Sequence, residues 1–196
     1  KLSIEVWEYS PSSSSNVNLN VMIIHESGVS GYVNVNATKP EELDVIDQFK
    51  KSYNRAKMGL KPISIQPGKY DVVLEPLAVG DLIKFTGYVG MNSKFYQDGI
   101  GCFAGSLGKK VVGDNISIVD DANDQNTGQL PFDFEGYERK KISLVENGVL
   151  NEIAYDTITA FKEGKKTTGH SIGYKGDGGI PLNLVVSPGN NSMEDM

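Results

Sequence analysis

The sequence predicts an α+β fold, mostly antiparallel sheet segments with two main helices. Three observations carry that expectation: short β-branched and aromatic runs toward both ends, one well-punctuated amphipathic helix over residues 39–58, and an Asn147-Gly148 pair between two apolar runs. Residues 2–9, 18–26 and 31–36 read as strands, separated by Ser, Asn and Gly clusters, with residues 12–15 a polar loop. Val33 and Val35 alternate with polar neighbours, the pattern of a strand with one wet face. In the helix, Thr38 and Glu41 have capping-box spacing and Pro40 suits a first turn. Ile46, Phe49, Tyr53 and Ala56 then recur at three- and four-residue steps until Gly59, predicting a packed face opposite solvated Lys50, Lys51 and Arg55.

Residues 61–69, with Pro62, Pro67 and Gly68, read as a linker between the end of an N-terminal α/β region (1–60) and part of a β-rich C-terminal domain (70–196). That second part opens with Tyr70-Asp71-Val72-Val73-Leu74, expected as a buried strand, and a second helix over residues 76–92. Gly80, Gly87 and Gly90 each disfavour a helix interior by about 1 kcal/mol relative to Ala. They predict that another backbone, from this or a neighbouring chain, approaches that helix closely. Further strands are expected at residues 116–119 and 182–186, with a hairpin over 141–155. Its Asn147-Gly148 turn accepts positive φ at both central positions. A short helix over 157–162 and a Gly-rich loop at 173–179 complete the pattern.

Composition narrows the function. A net charge of -6 and a pI near 5.0 argue against a nucleic-acid backbone as partner, because such binding draws on clustered Lys and Arg. No apolar run approaches bilayer-spanning length, which predicts a soluble protein. The single cysteine, Cys102, excludes an internal disulfide, and no signal-peptide pattern opens the chain, so the cytoplasm is the expected compartment. Glycosylation-type triplets starting at Asn36, Asn115 and Asn190 then read as chance. The first residue is Lys rather than Met and the chain enters directly into strand-like sequence, as expected of a piece of a longer protein.

The chemical motifs fail on spacing. His25-Glu26 lacks the second histidine of H-E-x-x-H, since position 29 is Val. Gly108-Lys109 is followed by Lys110 rather than Ser or Thr, and position 103 is Phe, so no phosphate loop forms; Gly99, Gly101, Gly105 and Gly108 miss the dinucleotide spacing at Ala104. Asp133-Phe134-Glu135-Gly136 is one residue too long for D-F-G. Cys102 and His170 are the two residue types of a thiolate–imidazole pair, but nothing in the sequence brings them together, and Cys102 reads as a buried small hydrophobe. Asp120, Asp121 and Asp124 lack EF-hand spacing and read as a solvated turn. The expectation is no metal, no cofactor and no self-contained catalytic site.

Several segments, taken in order, resemble the TldD/PmbA (modulator of DNA gyrase) family of intracellular peptidases acting in peptide maturation. They are Tyr70-Asp71-Val72-Val73-Leu74-Glu75-Pro76, Phe95-Tyr96-Gln97-Asp98-Gly99, Leu107-Gly108-Lys109-Lys110-Val111, Ile118-Val119-Asp120-Asp121, Pro131-Phe132-Asp133-Phe134-Glu135-Gly136, the Glu146 to Leu150 hairpin, and Thr168-Gly169-His170. The resemblance implies that residues 70–196 are part of the peptidase-like C-terminal domain. In the family's catalytic branch the helix after the Val-Val-Leu strand carries H-E-x-x-x-H, and a cysteine nearer the C-terminus completes the zinc site. The equivalent positions here are Lys84, Phe85 and Val89, none of which donates to zinc, and the cysteine position would fall after Met196. The likeness is therefore to the metal-free PmbA (TldE-like) branch. It implies a non-catalytic partner of a zinc-bearing TldD-like subunit, or a self-associating protein, that helps to enclose an unfolded peptide. The alternatives left open are a peptide-binding or scaffold protein, gyrase modulation included, with no proteolytic role. His170, in its Gly-rich setting, is expected to be accessible and is the one residue nominated for substrate or partner contact.

Overall fold

The structure is a computed structural model that describes residues 16–128, 130–174 and 176–191; the strand expected at 2–9 and the loop at 12–15 lie outside these. Among the described residues two sheets organise the fold. In the first, β1 (Val17–Ile24) pairs antiparallel with β2 (Ser30–Ala37), in register from Val17↔Ala37 to Ile24↔Ser30. The connection is closed by the His25 N–H donating to Val29 O at 2.8 Å, which puts His25 in a hairpin turn. Helix α1 (Val45–Gly59) lies across this pair.

Two expectations for α1 change. Its N-cap is Asp44, whose carboxylate accepts from the Asp47 N–H at 2.9 Å. Thr38 instead pairs with Glu42, not Glu41, and together they start a separate 3₁₀ turn at Pro40–Glu42. The packed face is also shifted: of the expected stripe Ala56 is buried, joined by Gln48 and Ser52, whereas Ile46, Phe49 and Tyr53 are each more than half exposed. Small residues explain the choice. Gly31 on β2 leaves room for Ser52, whose hydroxyl donates to Gly31 O at 2.9 Å, and a Cβ on Gly31 would stand 1.9 Å from Ser52 O. Close approach thus outweighs the apolar stripe.

The second sheet has the order β5-β4-β3-β6, antiparallel throughout, formed by β3 (Ile118–Asp120), β4 (Ile142–Glu146), β5 (Val149–Leu150) and β6 (Leu184–Val186). The β4–β5 hairpin turns at Asn147 and Gly148, with φ of 48° and 81°, as the sequence predicts. Its core gathers Met91, Ile118, Leu144, Val145, Leu150 and Ile153, all nearly solvent-free. Against it pack α2 (Pro76–Gly90), α3 (Ser93–Gln97) and α4 (Thr157–Lys162).

Helix α2 ends at Gly90, not at residue 92, because Asn92 caps the next helix by accepting from the Lys94 and Phe95 N–H groups. The expected close approach holds for two of its three glycines, but side chains of this chain make it. Leu184 and Pro181 meet Gly87, Cys102 and Phe103 meet Gly90, and nothing lies within 4 Å of a Cβ on Gly80. The strand expected at 70–74 does not form. Tyr70, Val72, Val73 and Leu74 are 44–70% exposed in an irregular segment that pairs with no other strand among the described residues.

The Gly31→Ala substitution should lower stability by about 1–3 kcal/mol, the range for forcing an atom into a packed contact. Gly80→Ala, in an open helix interior, should raise it by about 0.5–1 kcal/mol. Urea unfolding followed by circular dichroism reads both.

Candidate functional site

The β3 strand ends in a carboxylate with no access to water. Asp120 is 0% exposed, and three other segments of chain converge on it. Its Oδ1 accepts from Arg139 at 2.8 Å and lies 3.0 Å from His170 Nε2, while its Oδ2 accepts from the Asn183 N–H at 2.8 Å. A carboxylate only accepts, so His170 Nε2 carries a proton; Nδ1 lies 2.9 Å from both the carbonyl and the hydroxyl of Thr168. Burial opposes ionisation of Asp120, but the hydrogen bond and electrostatic attraction from His170, with Arg139 and the Asn183 amide, outweigh it and hold its pKa below the usual carboxylate value.

Two expectations are corrected here. His170 is not accessible: it is 1% exposed, and both ring nitrogens are engaged. Asp120 belongs to no solvated turn; only its neighbours Asp121 and Asp124 reach that loop, where Asp121 pairs with Lys141. Arg139 and Asn183 went unrecognised in the sequence. A usable signal existed for Arg139, one of only two arginines in a chain that otherwise uses lysine, because a planar guanidinium suits a buried carboxylate better than an ammonium does.

Adjacent segments extend the same framework. Asp133 accepts from the Glu135 and Tyr137 N–H groups through Oδ1 and from the Ser171 N–H through Oδ2, so the Pro131 to Gly136 motif is a folded turn tied to the His170 segment. Gly169 has φ of 73°, and a Cβ there would stand 2.1 Å from Glu138 O, which accounts for the glycine of Thr168-Gly169-His170. Asp156 caps α4 through the Thr159 N–H and, with its other oxygen, holds the Gly176 and Gly178 N–H groups, which fixes the Gly-rich loop. From that loop the chain runs through Ile180 and Pro181 into β6.

In front of this framework lies an open groove of about 940 Å³ between α2 and the segment leading through β6. Val79, Ile83, Phe85, Tyr88, Leu184 and Val186 give it an apolar wall, and Asp81 and Lys84 are its charged lining residues. Phe85 is 66% exposed and Lys84 is exposed, whereas Val89 is half-buried and does not line the groove. Beside the groove, the outer edge of β6 is unpaired among the described residues. The Asp121 N–H donates to Asn183 O, the Ser187 N–H donates to Ser117 O, and Val185 pairs with Val119. Residues 183, 185 and 187 thus turn their backbone groups toward β3, and Leu184 and Val186 turn theirs the other way, where no further strand lies among the described residues.

The donor set does not fit zinc. Lys84, Phe85 and Val89 offer no lone pair for a metal at neutral pH, and among the described residues no group of three or more His, Cys, Asp or Glu side chains could hold one. Cys102 is exposed, not buried as expected, and because both ring nitrogens of His170 are occupied elsewhere the two do not form a nucleophile–base pair. No helix among the described residues is long and apolar enough to cross a membrane.

Residues 67–196 match the family model of the PmbA/TldA metallopeptidase C-terminal domain. The chain is 35% identical over 153 residues to an uncharacterised protein of Methanocaldococcus jannaschii, covering 76% of this chain and 35% of that one. It is 27% identical over 158 residues to a metalloprotease of Methanothermobacter thermautotrophicus, covering 80% and 35%. The chain therefore spans about a third of the length of these curated relatives. Among solved structures, a proposed modulator of a DNA gyrase from Thermotoga maritima superposes with a TM-score of 0.80 at 27% identity, over 92% of this chain and 41% of that one. TldE from Thermococcus kodakarensis shares the fold, with a TM-score of 0.68 at 18% identity over 92% and 42%.

The Asp120→Asn substitution, which leaves Arg139 buried without its counter-charge, should cost about 3–5 kcal/mol of stability. Because the folded carboxyl has the lower pKa, the unfolded chain binds its proton first. Asp120's contribution is complete above the unfolded value of roughly 3.9 and is lost as pH falls through the depressed folded value. Urea unfolding at a series of acid pH values should show wild type losing stability over that window more steeply than Asp120→Asn.

Proposed function

We propose that this chain, which belongs to the PmbA/TldD metallopeptidase family, is part of a metal-free, TldE-like member that serves as the non-catalytic partner of a zinc-bearing TldD-like protease. The observation that carries the reading is the composition of α2. Lys84, Phe85 and Val89 stand at the positions that the family resemblance assigns to H-E-x-x-x-H, and an ammonium, a phenyl ring and an isopropyl group cannot hold zinc or activate a metal-bound water.

The groove supports the second half of the reading. An apolar wall next to a free strand edge suits an unfolded peptide, because an added strand is held by backbone hydrogen bonds that depend little on sequence, while alternate side chains face the wall. The chain's role is thus to hold substrate in the cytoplasm while a partner cuts it. Lys84, Phe85 and Val89 belong to the holding surface and helix, and His170 acts from behind it by fixing the segment that leads to β6. A scaffold with no proteolytic role would share the missing ligands but would not change the partner's cleavage.

Mixed with a zinc-bearing TldD-like homologue from the same cell, the protein should raise cleavage of an unfolded peptide above what the homologue achieves alone, and a chelator should stop it. The protein by itself should cleave nothing. Chelator-resistant cleavage by the protein alone would sink the non-catalytic reading. Unchanged cleavage in the mixture would leave the scaffold reading in its place.

A further inference from the structure

The groove's charged residues suggest which peptides it prefers, an inference that rests on the peptide-holding reading above. Lys84 projects from α2 into a lining that is otherwise apolar except for Asp81, three residues earlier on the same helix. Neither side chain forms an ion pair with any described residue. Lys51, Lys94, Lys110, Lys141 and Lys165 each pair with a carboxylate, whereas Lys84 is among the described lysines that form no ion pair, so its ammonium is available to a ligand in the groove.

We infer that Lys84 selects a carboxylate on the bound peptide. An extended segment added along the free edge of β6, hydrogen-bonded to the outward backbone groups of Leu184 and Val186, sets alternate apolar side chains against Phe85 and Tyr88 and one carboxylate at the Lys84 ammonium. The carboxylate belongs to an acidic side chain or to the peptide's own C-terminus. Asp81 restricts this to one location, because a second carboxylate near it is repelled. A phosphate or nucleotide ligand fits poorly, since it needs several converging donors and the lining supplies a single cation among apolar side chains. The chain's net charge of -6 does not decide the matter, because at physiological salt its field is screened beyond about 8 Å and the contact with Lys84 is shorter than that.

The test uses fluorescein-labelled Val/Thr-rich peptides in anisotropy titrations at low salt, in three forms: one internal Glu with an amidated C-terminus, Gln in its place with an amide, and Gln with a free C-terminus. Either carboxylate-bearing form should bind about 5-fold more tightly than the neutral one, the upper end for an exposed ion pair, and which form does so identifies the source. Lys84→Gln should remove the preference, Lys84→Glu should transfer it to a peptide bearing Lys, and Asp81→Asn should strengthen binding of the acidic form. Lys84 and Asp81 are exposed, so these variants should fold. Equal binding of all three forms by wild type would overturn the Lys84 assignment and leave the peptide-holding reading intact. Binding of none would remove both. Concentration-dependent self-association that blocks peptide binding would assign the groove to a second copy of the chain and overturn the proposal.

Discussion

The buried Asp120 carboxylate is the constraint on which this structure depends. One charged side chain at the end of β3 draws in Arg139, His170 and the backbone of Asn183, which come from three separate stretches of sequence. A carboxylate removed from water is costly unless its lone pairs are satisfied, and here each oxygen has partners fixed in place by other packing. The cost of leaving any of them unmatched is what makes the arrangement specific. The placement of β6, and with it the free edge and one wall of the groove, follows from the hydrogen bond that Asn183 makes to Asp120.

The same logic recurs in the carboxylates around it. Asp133 ties the Pro131 to Gly136 turn to Ser171, and Asp156 ties α4 to the Gly-rich loop. Asn92 joins α3 to that loop by donating to Asp177 O at 3.1 Å. Buried oxygens satisfied by backbone N–H groups therefore hold irregular segments where a sheet ladder would otherwise do so. The outcome is a rigid framework behind an open, apolar groove. It is this combination that the proposed peptide-holding role draws on.

What was legible in the sequence was local. The Asn147-Gly148 turn, the helix at residues 157–162, and β1 and β2 as strands were readable because their determinants lie within a few residues of one another. Asp120 was misread as part of an acidic turn because its partners lie 19 and 50 residues away, and His170 was misjudged for the same reason. The run at 70–74 has the composition of a strand but no neighbour to pair with, and composition alone does not supply one. On α1 the apolar stripe held at Ala56 but not at Ile46, Phe49 and Tyr53, since the small residues Gly31, Ser52 and Ala56 permit closer contact than those three would. For the groove, the identities of Lys84, Phe85 and Val89 were plain from the sequence. Their arrangement beside a free strand edge was not.

The claim that matters most is that this surface holds peptide through the open edge of β6. Hydrogen–deuterium exchange of the protein with and without an unfolded peptide, resolved to single amides by NMR, addresses it directly. The account predicts that exchange at the Leu184 and Val186 amides slows when peptide is added, while the Val185 amide, already turned toward β3, changes little. Peptide binding that leaves Leu184 and Val186 unprotected and slows exchange elsewhere would contradict it.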